Sequence, residues 1–431
     1  MAGGRALSTG PRATQPPLRP LIQRVRSTQV LVGAWHEIRR NAETSRSSAT
    51  RDEARKFGRD LPRNLRRIQD RLRAGYVFKP AKGATPSKGA GKAGKRPLVI
   101  APMADRIVQR AILDVLQDAP DLPAVRQVLD TPTSIGGIKG RGVEMALDLI
   151  DERHVAGARF VAGSDIAGFF TKIPRGVVTD FVRANTNDEQ FTALFERAMT
   201  VELANASILS PEDLRLFPTG EDGVAQGCPL SAFAGNVILR EFDATMNAGG
   251  RGVTCVRYID DFVLLAATER QVTKAMQSAA AMLKKLGMTI YDPVAAPSKA
   301  FTGTITAGCI FLGYEIVPGR FPPSAKACER LLDRIAAELK TGRAVMRDAL
   351  KGEPIVARKS CYVQTLASVD QIVRGWAGSF RRSRCPATMA KLDADIDRKL
   401  ADFDGFYRRQ MDGLDPKGRR RITGVRLLQD R

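Results

Sequence analysis

Apolar side chains along this chain change period several times, and the changes outline its elements. Leu61, Leu65, Ile68 and Leu72 recur at three- and four-residue steps, which predicts helix over roughly 31–73. Residues 1–30 carry several prolines and no clear period, so an extended arm is expected there. "KPAKGATPSKGAGKAGKRPLVI", 79–100, begins as a Gly/Lys/Ser loop and ends as a short strand. "DRIVQRAILDVLQ", 105–117, has the spacing of an amphipathic helix, and "VEMALDLID" continues as helix after a loop at 131–142. "RFVAGSD", 159–165, is a strand ending in an aspartate, and Pro174 opens a helix. "GVAQGCPLSAFAGNVILREFD", 223–243, is a Gly/Pro turn into a helix with Ser231 as its expected N-cap. "TCVRYIDDFVLLAA", 254–267, is two β-rich runs meeting at Asp260–Asp261, which puts the acidic pair at a hairpin tip. The stretch between Lys299 and the FLGYEI segment has no regular pattern, and "CIFLGYEIV", 309–317, is a short strand or hairpin. Beyond 321 everything is helical. Cys328, Leu331, Leu332, Ile335 and Leu339 form one stripe; Val363, Leu366, Val369, Val373, Trp376 and Phe380 form a second; Leu392, Ile396, Leu400, Phe403 and Tyr407 form a third. These stripes are the inner faces of a helical bundle.

Adjacent aspartates in an apolar strand pair are costly unless something compensates them. A solvated turn would do so. So would a divalent cation, which prefers oxygen ligands and removes the repulsion. Asp165, at the end of another strand, supplies a third carboxylate. Three such groups can hold a pair of ions about 3.5–4 Å apart, the arrangement that clamps both oxygens of an in-line phosphoryl displacement.

Charge alters the picture further. The chain has 431 residues, 68 Lys+Arg against 46 Asp+Glu, and a formal net charge of +22. Such an excess suits a polyanion, because Lys and Arg contacts to phosphate release counterions. Residues 1–73 hold 17 basic and 6 acidic residues, about half the surplus, and a second basic cluster lies at 408–431. The first 36 residues lack acid, which imitates an organellar transit peptide; a nucleic-acid-binding arm fits the same composition. Six cysteines show no C-x-x-C spacing and only two histidines accompany them, which argues against a structural zinc site and for reduced thiols in a cytoplasmic protein. No apolar run reaches the length of a membrane span.

"YIDD", 258–261, resembles the Y-x-D-D motif of reverse transcriptases. "DIAGFFTKI", 165–173, resembles their first catalytic block; "QGCPLSAFAGNVIL", 226–239, resembles the Q-G-x-P-L-S block; "FLGYEI", 311–316, resembles the primer-grip hairpin. They occur in the family's order. "KRPLVIAPMADRIVQRAI", 95–112, and "IVRGWAGSF", 372–380, resemble the fingers and thumb of group II intron-type enzymes. The resemblance implies an α+β right-hand polymerase: a basic N-terminal arm and helical extension (1–73), fingers (74–158), an antiparallel-sheet palm (159–320), and a helical thumb with a basic tail (321–431). It implies two Mg²⁺ held by Asp165, Ile166, Asp260 and Asp261, with those aspartates and Lys299 as the catalytic set, Lys299 as a general acid towards pyrophosphate. Lys95, Arg96, Phe170, Gln226 and Gly227 would contact the incoming nucleotide, and Tyr258, Leu312 and Gly313 the primer and template. Phe170 would lie under the sugar and reject a 2′-hydroxyl, although Phe169 is the alternative for that role.

The implied partners are an RNA template or dedicated non-coding RNA, a DNA primer or product, and dNTPs, with no membrane. The oligomeric state is not specified. Group II intron enzymes carry a different stretch where this chain reads "SIGGIKGRG", and often continue into a His-containing nuclease. The shorter form resembles stand-alone bacterial enzymes, including those of antiphage defence and of retrons. The alternatives are a maturase-like intron-RNA-binding factor and an enzyme that adds nucleotides without a conventional template or makes repeats.

Overall fold

The computed structural model describes residues 19–45, 47–87, 94–250, 252–350, 361–425 and 427–428. They divide into two compact units. The first takes the described part of Met1–Arg141 with Ile166–Thr245 and Met282–Thr289; the second takes Gly142–Asp165, Met246–Ala281 and the described part of Ile290–Arg431.

The first unit is built around the helix Met103–Gln117. It packs against the helices Leu21–Val25, Thr28–Glu43, Glu189–Met199 and Leu230–Ile238. Ile107, Val108, Ala111, Ile112 and Leu116 have no exposed surface, and Asp105, Gln109 and Gln117 are buried beside them. Arg106, Arg110 and Asp114, half-buried at four-residue steps, form its polar stripe, so the helix is amphipathic as its spacing predicts. Asp105 tolerates burial because it accepts from the Tyr76 hydroxyl at 2.6 Å and the Lys79 amide at 2.9 Å. Further helices run over Ser48–Gly58 and Leu61–Ala74, the latter burying Leu65, Ile68 and Leu72. Part of the expected extended arm is helical instead. Leu21–Val25 buries Leu21, Ile22 and Val25, and the Ile22 amide donates to Asp188 at 2.9 Å. Residues 1–18 of that arm lie outside the described residues. A two-stranded antiparallel ribbon, β1 (Lys82–Ala84) and β2 (Leu98–Ile100), pairs Gly83 with Val99. Ser231 is not an N-cap: it lies inside the helix Leu230–Ile238, and its hydroxyl donates to the Ala225 carbonyl at 2.7 Å. Pro229, which fixes its own φ, occupies the cap.

The second unit holds a four-stranded, wholly antiparallel sheet. Its strands are β3 (Phe160–Asp165), β4 (Val253–Tyr258), β5 (Asp261–Ala266) and β6 (Ala300–Thr304), in the order β4-β5-β3-β6. The stretch expected to be irregular before the FLGYEI segment contains β6; "AFTGT" has too few apolar residues to show it. The helix Val143–Val155 packs on β4 and β5. β7 (Ile310–Phe311) and β8 (Tyr314–Glu315) form a separate hairpin. Four helices follow among the described residues: Ala325–Leu350, Tyr362–Ser379, Pro386–Met411 and Pro416–Thr423. Leu331, Ile335, Leu339, Val369, Ile372, Leu392, Ile396 and Phe403 form their common core. Val363 departs from the expected stripe and is 52% exposed; Tyr362 and Thr365 turn inward in its place. Mixed helix and antiparallel sheet is the fold class expected. No helix among the described residues is long and apolar enough to cross a membrane.

Candidate active site

β3 ends on Asp165 and β5 begins on Asp261, and the two residues are register partners. Directly opposed residues of an antiparallel pair share one sheet face, with Cβ atoms about 4.5–5.5 Å apart. The sequence separates these carboxylates by nearly a hundred residues, and the sheet makes them neighbours. Asp260 occupies the turn immediately before Asp261, because Tyr258 pairs with Asp261 and leaves a two-residue loop, Ile259–Asp260. Ile259 has φ 62°, the left-handed region that β-branched residues avoid, at a cost of about 1–3 kcal/mol. Beneath it, Arg257 has no exposed surface and donates from Nη1 to the Ile259 carbonyl at 2.7 Å.

Lys299 closes this end of the sheet. Its carbonyl accepts from the Asp165 amide at 3.1 Å, and its ammonium forms an ion pair with the Asp165 carboxylate. The same ammonium lies 5.5 Å from the Tyr291 ring centroid. Next to Asp165, the Ser164 hydroxyl accepts from the Tyr291 amide at 3.0 Å, which ties the returning loop to β3. One glycine is required here: a Cβ on Gly163 would lie 2.5 Å from the Phe301 ring and 3.0 Å from the Phe262 carbonyl. Among the described residues no three His, Cys, Asp or Glu side chains are gathered into a metal-ligating cluster. The donor set nevertheless suits a hard cation, since all three groups are carboxylates and a cationic ammonium already sits against one of them.

The nucleotide-contact candidates belong to the first unit. Phe169 is buried, with its ring against Gly235, whereas Phe170 is half-buried. Of the two, Phe170 therefore has the accessible ring. Its carbonyl accepts from the Val224 amide at 2.7 Å, and the Ile173 carbonyl accepts from Gly223 at 2.7 Å, so the segment after Asp165 is laced to the segment before Gln226. Arg175 fixes that second segment. Its Nη1 donates to the Pro218 and Gly223 carbonyls at 3.1 and 3.0 Å, and its Nη2 donates to the Gly220 carbonyl. Gln226 pairs with β2, its carbonyl accepting from Val99 at 2.9 Å. Gly227 has φ 112°, and a Cβ there would lie 3.0 Å from the Val99 carbonyl, so the backbone geometry alone demands glycine. Lys95 is engaged: its ammonium lies 2.8 and 3.0 Å from the two Asp213 oxygens, and Thr85 donates to the same carboxylate at 3.1 Å. The Lys95 contact, with Thr85 and Ser210 adding to it, holds the Asp213 carboxyl below the usual carboxylate range. Arg96 is exposed beside it.

The sequence profile of the family described as "Reverse transcriptase (RNA-dependent DNA polymerase)" matches residues 85–316, more than half of the chain and every carboxylate above. The chain belongs to the reverse transcriptase family. A curated relative, protein YkfC of Escherichia coli (strain K12), is 27% identical over 297 residues, 59% of this chain and 72% of YkfC. Among solved structures, a partial Cas6-RT-Cas1–Cas2 complex is 21% identical with a TM-score of 0.34, covering 62% of this chain and 42% of that one. Apo telomerase from Candida tropicalis, truncated from its C-terminal domain, is 10% identical with a TM-score of 0.41, covering 57% of this chain and 55% of that one. The chain thus spans about half the length of each of these two structures.

In this reverse transcriptase, the hairpin matching the primer grip is set by two left-handed residues, Leu312 at φ 52° and Gly313 at φ 87°, the pattern of a two-residue primed turn. Tyr314 anchors it to the helix Tyr362–Ser379, its hydroxyl donating to the Ser379 carbonyl at 2.8 Å. Sequence reasoning missed three supports. Arg257 is legible as a charge inside an apolar strand, but its partner is a backbone carbonyl, which residue types do not display. Arg175 and Asp213 act through partners about 45 and 118 residues away, which no local pattern reveals. Burial pushes the Cys228 thiol, in the Q-G-x-P-L-S block, up to about 12.

Proposed function

We propose that this chain is an RNA-directed DNA polymerase that joins deoxynucleotides at the end of the sheet where β3 and β5 meet. The observation that carries it is the register pairing of Asp165 with Asp261, next to Asp260 in the turn. Asp165, Asp260 and Asp261, with the Ile166 carbonyl, would hold divalent cations, taken to be two Mg²⁺. When bound, these ions supply Lewis-acid stabilisation of the phosphoryl oxygens and lower the pKa of the attacking hydroxyl.

The chain's own residues do the rest. Lys299 balances the charge of Asp165 and would donate a proton towards departing pyrophosphate. Phe170 presents the accessible ring of the FF pair and rejects a ribose 2′-hydroxyl. Gln226 and Gly227, held against β2, contact the nascent base pair. Arg96 grips the triphosphate, and Lys95, ion-paired with Asp213, contributes a second positive charge beside it. Tyr258, Leu312 and Gly313 line the primer and template. The surplus of 68 Lys+Arg over 46 Asp+Glu supports RNA and DNA partners, and six free thiols suit a cytoplasmic setting. A dedicated non-coding RNA and a part in antiviral defence are proposed from the resemblance to stand-alone bacterial enzymes.

Primer extension on a defined RNA template, with Asp260→Ala/Asp261→Ala as the control, tests the proposal. Template-complementary DNA made by the wild type and not by the variant is expected. A homopolymer or repeat product would instead point to untemplated synthesis. RNA binding with no synthesis would point to a maturase-like role.

A further inference from the structure

We propose that Arg257 is a positioning residue for the acidic tip: by holding the carbonyl of Ile259, it fixes the left-handed turn that aims Asp260 and Asp261 at the reaction. The inference rests on the polymerase function proposed above.

A guanidinium with no exposed surface is rare in a strand core and needs hydrogen-bond partners. Arg257 stands opposite Phe262 in the β4–β5 ladder, between the buried Val256 and the half-buried Tyr258. Its side chain reaches forward two residues and meets the Ile259 carbonyl at 2.7 Å. The turn it reaches has an unusual requirement. Its first residue takes φ 62° and its second is not in the left-handed region. Turns of that form ordinarily place glycine first. Isoleucine there is strained, and relaxing its φ would rotate the peptide that leads into Asp260. The strain therefore needs an opposing contact, and the Ile259 carbonyl receives it from below. The direction of that carbonyl also sets the orientation of the following peptide plane, from which the Asp260 side chain departs. Lysine could keep the charge here but offers a compact ammonium on a flexible stem instead of a planar fork. Position, rather than charge, is what arginine adds.

The experiment compares Arg257→Lys, Ile259→Gly and the double variant Arg257→Lys/Ile259→Gly in the full chain. Readouts are primer extension at saturating template with varied dNTP, and amide hydrogen exchange of the peptide covering residues 256–262. Arg257→Lys is expected to lower kcat at least about tenfold, with the dNTP KM within about twofold and faster exchange at the tip. Glycine adopts the left-handed turn unaided. The double variant is therefore expected to recover kcat to within about threefold of Ile259→Gly alone, with exchange slowed again. Wild-type kcat in Arg257→Lys would show that charge alone suffices and overturn the inference. So would failure of Ile259→Gly to rescue it. If Arg257→Lys does not fold, recovery of folded, active protein by the added glycine carries the inference, and its absence overturns it. If the wild type extends no primer, the polymerase reading fails by itself; the exchange comparison then still reads the turn.

Discussion

Asp165 and Asp261 stand directly opposite each other, as the last residue of one strand and the first of its antiparallel neighbour. Like charges so placed destabilise a sheet by roughly 0.2–1 kcal/mol. The ion pair from Lys299 offsets part of that, though both side chains keep solvent contact and the gain is at most about 1 kcal/mol. Asp165→Asn should therefore change the thermal midpoint by no more than about 4 °C. With Asp165 as the proposed metal ligand, primer extension should fall at least about a hundredfold, since such a ligand would be worth several kcal/mol in the transition state. Calorimetry and single-turnover kinetics on the same preparation check both halves.

Phe170 has the accessible ring next to a buried Phe169. Phe170→Ala should raise the ratio of ribonucleotide to deoxynucleotide kcat/KM by about tenfold or more, the scale on which pocket shape discriminates. Phe169→Ala should instead destabilise the first unit by about 3–5 kcal/mol, because it empties a core site. Unchanged sugar selectivity in single-nucleotide insertion with Phe170→Ala would remove the residue from the nucleotide site.

Lys299 competes with any cation for Asp165. Lys299→Met should lower the Mg²⁺ concentration for half-maximal activity by up to about fivefold, the equivalent of about 1 kcal/mol for a partly exposed pair. If the ammonium also protonates pyrophosphate, kcat falls in the same variant. Magnesium titrations at saturating dNTP separate the two effects, and a higher Mg²⁺ requirement would contradict the competition.

Cys228 stays a thiol at neutral pH because burial raises its pKa from 9.0 to about 12. At pH 8 roughly one molecule in ten thousand carries the thiolate, against about one in ten for the unfolded chain, so native alkylation should be roughly a thousandfold slower. The raised value means that the folded state holds a proton which the unfolded state loses. The associated stability is therefore complete below about pH 9 and is lost as pH climbs towards 12. Mass spectrometry after iodoacetamide treatment, native and denatured, measures the protection.

Much of this was legible in the sequence, for identifiable reasons. The hairpin tip showed because its flanks are β-branched and apolar while the tip is acidic. Asp165 showed because it closes an apolar strand. The four segments with family resemblance gave the partners of those carboxylates. Other features were hidden by tertiary context. The spacing of Met103–Gln117 shows its apolar face, but not that neighbouring helices of the first unit also cover Asp105, Gln109 and Gln117. Residues 21–25 are too short to display a period, and their burial depends on Asp188, far along the chain. The ion pair of Lys95 was hidden because its partner, Asp213, lies 118 residues away.

β3 is gripped from both sides: Gly163 pairs with Val263 on one flank and with Phe301 on the other. Adding or deleting a single residue in β3 or β5 would turn Asp165 or Asp261 to the opposite face of the sheet. Length variation among related sequences should therefore gather in the segments between strands, and circular permutants or peptide tags should be tolerated at the exposed 248–250 but not between 160 and 165.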